Sequence, residues 1–178
     1  MPNAPVPIPT QNQSVIAAKQ FNLEGYLGKS VVDFCGKYGS AGDDQNHCAH
    51  FVSHVLDLRI PGAALCSNVA DSQYKYEDRR KGFCIRVNQV LNSCKNRKRW
   101  DDKDVPSQVC FIVATVEANI ESESPLTIGS MSRKHIGFYS GGWIYNYGNA
   151  KDKVRKTSLA DFKSHYGKTT VLLKSDLP

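Results

Sequence analysis

The stretch HIGFYSGGWIYNY, residues 135–147, decides the fold because it has the pattern of a β-hairpin. Aromatic and β-branched residues flank the Gly-Gly pair at 141–142, and consecutive glycines supply the positive φ angles of a tight two-residue turn. In the register that this turn sets, Gly137 faces Asn146. His135 and Asn146 then lie on the same face of the sheet as diagonal neighbours, with Cα atoms roughly 7–8 Å apart.

The segments on either side of this hairpin predict helices first and strands afterwards. The periodicity of apolar residues and the Gly, Pro and Ser punctuation give the boundaries. We read ESESP, residues 121–125, as a linker. This order is typical of an α+β fold, with N-terminal helices packed on an antiparallel sheet. The predicted elements are helices over 27–38, from Cys48 onward and over 85–94, a strand over 109–116, a short helix capped by Thr157 or Ser158, and a strand over 169–173.

Length and composition indicate one folded domain. The chain has 178 residues, 40% of them hydrophobic, which is ordinary for a single globular domain. Residues 1–13 contain four prolines and predict an extended tail, so we place the domain at 14–178. No apolar run is long enough to span a bilayer, and the opening residues lack the pattern of a secretion signal. We therefore expect no membrane span and synthesis in the cytoplasm.

The net charge of +6 favours acidic partners without choosing among them. Much of the excess lies in two basic runs, at 79–81 and 95–99. No known nucleic-acid-binding motif accompanies these runs, so we interpret them as solvated loops and expect no nucleic-acid partner.

Cys48 lies where a polar, glycine-rich segment turns into a helix, and this position distinguishes it from the other cysteines. Unpaired backbone N–H groups and the helix dipole favour a thiolate there, so we expect Cys48 to be a nucleophile and the thiol that is alkylated fastest. A nucleophilic cysteine needs an imidazole to accept its proton and a polar group to orient that imidazole. The hairpin supplies both in His135 and Asn146, whereas Asn149 falls on the opposite sheet face and is the weaker candidate.

The oxyanion that forms when a thiol attacks a carbonyl needs nearby hydrogen-bond donors. The start of a helix presents backbone amides, so the N–H of Cys48 is one expected donor. His47 and Gln45 are the candidates for a second donor beside the substrate.

Two observations keep an alternative function open. His50 and His54 have the i, i+4 spacing that can hold a metal, but no acidic residue lies between them and spacing identifies no further ligands, so we expect neither metal nor organic cofactor. Among the six cysteines, a disulfide is most expected within the set Cys66, Cys84 and Cys94. The alternative is a zinc-holding or disulfide-stapled binding module with a basic surface for nucleic acid.

Two short phrases resemble the compact bacterial papain-like cysteine hydrolases, the NlpC and CHAP cell-wall peptidases and amidases. The phrase NHCAHFVSHVL at 46–56 resembles their D-C-S-G-F-V-x-x-V-L, and HIGFY before the glycine turn resembles their H-V-G-I-Y. His47 stands where that family has aspartate, and Ala49-His50 stands where it has Ser-Gly.

This resemblance implies a papain-like fold, a Cys48–His135–Asn146 triad and hydrolysis of an amide bond in peptidoglycan stem peptides or another peptide. Small members without a signal peptide resemble amidase toxins that a dedicated secretion machine exports to the cell wall or periplasm. For such an antibacterial effector, an inhibitor or immunity protein is the implied partner.

Overall fold

The computed structural model describes residues 21–35, 47–69, 82–167 and 169–178. The predicted tail, Gln45 and the basic run at 79–81 lie outside these residues. The described helices are α1 (Val31–Phe34), α2 (Cys48–Leu56), α3 (Cys66–Val69), α4 (Val87–Ser93) and α5 (Leu159–Tyr166). The strands are β1 (Lys98–Arg99), β2 (Cys110–Val116), β3 (Ile120–Glu123), β4 (Leu126–Ile128), β5 (Lys134–Ser140), β6 (Trp143–Gly148), β7 (Lys153–Ser158) and β8 (Thr170–Ser175).

The centre of the fold is an antiparallel sheet with strand order β1-β8-β2-β5-β6-β7. Strands β3 and β4 form a separate two-stranded hairpin. Helices and an antiparallel sheet together confirm the α+β class. Among the described residues, every helix is too short or too polar to cross a lipid bilayer.

The register of the central hairpin confirms the prediction from its glycine pair. Gly141 and Gly142 have φ angles of 55° and 88°, the left-handed region that glycine adopts readily. Gly137 pairs with Asn146 across β5 and β6. The two-residue turn therefore fixes which side chains share a face.

Different helices pack against the two faces of the sheet. On one face, Ile136 and Phe138 of β5 pack in a core that includes side chains of α1, α2 and α4. On the other face, Ile112 and Tyr139 pack with Phe162 of α5. Because side chains alternate along a strand, His135 of β5 lies on the α5 face.

Helix boundaries follow local capping. The backbone N–H of Ser30 donates to the Asp33 carboxylate (2.6 Å) at the start of α1. This helix covers Val31–Phe34 and is shorter than the helix that the sequence predicted over 27–38. The Ser158 hydroxyl accepts a hydrogen bond from the N–H of Asp161 (3.0 Å), so Ser158 is the cap of α5.

Three parts of the sheet differ from the sequence prediction. Residues 121–125 are not a linker, because they contain the end of β3 and the turn into β4. Strand β7 was not predicted, since Val154 is its single fully buried side chain and the alternation is weak. The end of the second basic run is strand β1, which pairs with β8.

Candidate active site

His135 and Asn146 meet on the α5 face of the sheet. The Nε2 atom of His135 lies 3.1 Å from Oδ1 of Asn146, and both side chains are buried. An amide oxygen only accepts hydrogen bonds, so Nε2 carries the proton and donates it. In this tautomer Nδ1 is the basic nitrogen of the imidazole.

The Asn146 side chain is held in this orientation by its own contacts. Its Nδ2 donates to the Thr157 hydroxyl of β7 (3.3 Å), which leaves Oδ1 directed at the imidazole. The His135 ring packs against Phe162 and Tyr166 of α5, with ring centroids 6.0 and 5.3 Å away. The imidazole is thus fixed by an amide on one side and by aromatic rings on another.

Cys48 is the first residue of α2 and is completely buried. Backbone hydrogen bonds involving Ile136, Ala49 and Cys48 itself stabilise the thiolate form of its sulfur. Ile136 directly follows His135 on β5, so the Cys48 side chain reaches the strand within one residue of the imidazole.

Burial outweighs the helix start in setting the acidity of Cys48. Loss of solvent raises the pKa of the Cys48 thiol to about 12, although the backbone hydrogen bonds and Lys134 act in the opposite direction. The sequence-based expectation of a thiolate at Cys48 is therefore wrong for the resting protein. The helix start supplies the amides, but the desolvation of a fully buried sulfur is larger.

Burial also keeps His135 neutral. Desolvation lowers its pKa to about 4; the hydrogen bond that His135 donates to Asn146 opposes this shift, and the charges of Arg155 and His165 reinforce it. Because the Cys48 thiol and the His135 imidazole are both neutral, the thiol proton would move to the imidazole while the sulfur attacks, and not before the substrate binds.

A cavity of about 350 Å³ opens onto the imidazole. Its lining includes His135 and Tyr166 together with the cationic side chains Arg133, Lys134, Lys151 and Arg155; none of its described lining residues is acidic. Within the described chain, the Nε atom of Arg155 is buried and has no hydrogen-bond partner. The cavity is suited to a ligand that carries carboxylates.

The other predicted site residues occupy different places. Asn149 lies beyond the end of β6, is exposed and lines the cavity without a described bond to His135. His47 precedes α2, and its buried ring contacts His50 and Tyr147. Gln45 lies outside the described residues. His165 is exposed in the last turn of α5.

A second cluster of reactive side chains lies in the helical part of the fold, and the sequence pattern indicated only its two histidines. Cys35 joins His50 and His54, with one ligand atom from each lying within 4.8 Å of the others. The Cys66 sulfur lies 4.0 Å from the Cys35 sulfur. The i, i+4 histidine pair was the sequence signal, but no spacing rule connects it to these two cysteines.

The predicted disulfide within the set Cys66, Cys84 and Cys94 is not formed. All six cysteines lie in the described part of the chain, and none of them is bonded to another there. Cys66 instead faces Cys35, while the Cys94 thiol donates to the carbonyl of Val90 (3.1 Å).

Comparisons with family models, with curated protein sequences and with solved structures give no match for this chain.

Proposed function

We propose that this protein is a papain-like cysteine amidase or peptidase, with Cys48 as nucleophile, His135 as general base and acid, and Asn146 as the positioning residue. The observation that carries the proposal is the buried His135–Asn146 hydrogen bond beside a helix-borne cysteine whose sulfur is bound by the amide of the next strand residue. A cysteine at a helix start and an imidazole oriented by an amide are the groups that acyl transfer by a thiol requires.

Cys48 and His135 both act twice, first when the thioester forms and again when it is hydrolysed. The Cys48 sulfur attacks the amide carbon while its proton passes to Nδ1 of His135, and the backbone N–H of Cys48 donates to the oxyanion. The imidazolium then gives that proton to the leaving amine as the C–N bond breaks. Water attacks the thioester carbon and loses a proton to His135; the C–S bond then breaks, the imidazolium returns that proton to the Cys48 sulfur, and the acid product leaves.

The cavity indicates the class of substrate. Four cationic side chains on its lining, without an acidic side chain among the described lining residues, favour peptides that carry carboxylates close to the scissile bond. Peptidoglycan stem peptides have free carboxylates at such positions, so they are the substrate that we propose. The same proposal extends to an antibacterial effector that is exported to the cell wall or periplasm and is inhibited by an immunity protein.

The test is digestion of purified peptidoglycan by the wild-type protein, with mass analysis of the released fragments. We expect new amine and carboxylate ends at one type of amide bond, and loss of all products with Cys48→Ala. Cys94→Ala is the matched control because Cys94 is also a buried cysteine but lies away from the sheet pair. Equal activity of wild type and Cys48→Ala would refute the assignment.

One observation favours a second function, a zinc-holding binding module, and that observation is the Cys–His cluster on the helices. Its expected nucleic-acid surface has weaker support, because Lys98 forms an ion pair with Asp104 and Arg99 forms one with Glu117. Fluorescence anisotropy with labelled DNA and RNA tests whether this surface binds nucleic acid. Salt-sensitive, tight binding together with inactivity on peptidoglycan would favour the module over the enzyme.

A further inference from the structure

The Cys–His cluster brings together four side chains from three separate helical elements. Cys35 directly follows α1, His50 and His54 lie on α2, and Cys66 begins α3. Three of these side chains are buried, and His54 is half-buried. Their ligand atoms converge although the residues are up to 31 positions apart in sequence.

Two distances within the cluster are close to those between ligands of a tetrahedral ion. Zinc–sulfur bonds of about 2.3 Å and zinc–nitrogen bonds of about 2.0–2.1 Å place two sulfurs about 3.8 Å apart and a sulfur and a nitrogen about 3.5 Å apart. The Cys35 and Cys66 sulfurs are 4.0 Å apart, and Nε2 of His50 is 3.2 Å from the Cys35 sulfur. A disulfide would need its sulfurs about 2.05 Å apart, roughly half the observed distance.

The surroundings of the cluster also suit a metal. The backbone N–H of Phe83 points at the Cys66 sulfur (3.2 Å), a hydrogen bond that stabilises a thiolate ligand. Nδ1 of His50 faces His47 (3.5 Å), so its Nε2 is the nitrogen turned toward the sulfur. Contacts of this kind orient metal ligands in proteins.

We propose that Cys35, His50, His54 and Cys66 bind one structural Zn²⁺ ion. Two thiolates neutralise the charge of the ion, and a set of two sulfurs and two nitrogens in a tetrahedral arrangement selects zinc among the common divalent metals. Four protein ligands leave no position for water or substrate, so the ion holds the fold instead of taking part in the reaction. This conclusion departs from the sequence-based expectation of no metal.

The ion would tie together helices that are too short to be stable alone. Helices α1 and α3 have four residues each, well below the length at which an isolated helix persists. Both sulfurs would bind the ion as thiolates, so the ion and the two ligands would hold α1, α2 and α3 together.

The first measurement is the metal content of the full chain, expressed with zinc in the medium and purified without chelator. We expect one zinc per chain by mass spectrometry of the element. Cys66→Ser and His50→Gln should weaken zinc binding at least roughly 10–100-fold, the loss that mutation of outer-sphere partners alone can produce. Cys94→Ser and His165→Gln are the matched controls and should keep the ion.

A second measurement does not depend on the folding of the variants. The wild-type protein is stripped with chelator and titrated with Co²⁺, whose visible spectrum reports tetrahedral geometry and thiolate ligation. We expect saturation at one equivalent, two thiolate ligands by charge-transfer intensity, and displacement of the cobalt by Zn²⁺.

The zinc proposal does not rest on the enzymatic one, and Cys48→Ala separates them. That variant should lose turnover and keep its zinc. The zinc proposal is overturned if wild-type protein neither contains zinc nor binds added Co²⁺, if Cys66→Ser and His50→Gln keep the full content, or if peptide mapping finds a Cys35–Cys66 disulfide in the native protein.

Discussion

Lowering the pH from 7 to 5 should destabilise the protein through His135, and His135→Gln should remove that part of the pH dependence. The imidazole is buried and its pKa is lowered to about 4, mainly by desolvation. In the unfolded chain the same imidazole titrates near its ordinary pKa of about 6.5. The two states therefore bind different numbers of protons between these values.

The sign and the size of the effect follow from that difference. Well above pH 6.5 the imidazole of His135 is neutral in both states and adds no pH dependence. As the pH falls below 6.5, the unfolded chain binds a proton that the folded protein excludes, so the free energy of unfolding decreases until the pH passes the folded pKa of about 4. With these two pKa values the loss is about 2 kcal/mol between pH 7 and pH 5, and about 3 kcal/mol in total.

The assay is urea unfolding followed by tryptophan fluorescence at pH 7 and pH 5, with equal metal content in all samples. We expect the pH-dependent loss of His135→Gln to be about 2 kcal/mol smaller than that of wild type. Asn149→Gln is the control, because Asn149 is exposed and carries no titratable group, so this variant should keep the wild-type dependence. If His135→Gln and wild type lose equal stability, His135 is not held neutral by burial, and the neutral thiol–imidazole mechanism fails with it.

Three further outcomes test the candidate site and the hairpin. His135→Ala should lower peptidoglycan turnover about 10²–10⁴-fold and approach the loss of Cys48→Ala, whereas Asn146→Ala should cost less because it disturbs orientation alone; initial rates measure this ranking. Arg155→Gln should raise the KM for a carboxylate-bearing substrate about tenfold or more with little change in kcat, as steady-state kinetics would show. Gly137→Ala should lower the free energy of unfolding by about 1–3 kcal/mol in urea, because a Cβ there would lie 2.7 Å from a carbonyl oxygen of β6.

For each of these outcomes a control variant or a contrary result tests the reasoning. Asn149→Ala should be mild, and a damaging Asn149→Ala beside a silent Asn146→Ala would reverse the choice of positioning residue. Lys153→Gln is the control for Arg155→Gln, since Lys153 is an exposed cation of the same strand outside the cavity lining. A Gly137→Ala protein as stable as wild type would mean that β5 and β6 separate at that pair.

The hairpin and the residues that it aligns could be predicted because their geometry is local. A two-residue glycine turn fixes the register, and the register alone places His135 diagonal to Asn146. Helix α2 could be predicted for the same kind of reason, since a polar segment followed by an apolar stripe marks a helix start near Cys48. Each of these signals is contained within about a dozen residues.

Burial could not be predicted, and it reverses one chemical expectation. The sequence places Cys48 at a helix start but does not reveal that its sulfur is completely covered, and desolvation then outweighs the amides in setting the pKa of the thiol. The sequence also could not show which residues far apart in the chain would come together. Cys35 and Cys66 lie on opposite sides of α2 in sequence, and only the packing of three helices brings their sulfurs to 4.0 Å.

Helix α2 connects the two proposals, because it carries the candidate nucleophile and the candidate zinc ligands on different faces. At 100° per residue, His50 and His54 lie about 200–240° around the helix from Cys48, so the ligands point away from the thiol. An ion bound to that far face would fix the helix whose first residue must meet the amide of Ile136. Removing zinc from an otherwise intact enzyme should therefore lower kcat by displacing the thiol from the imidazole, and restoring zinc should recover it. An enzyme equally active with and without the ion would show that the sheet alone positions α2, and that the ion contributes to stability only.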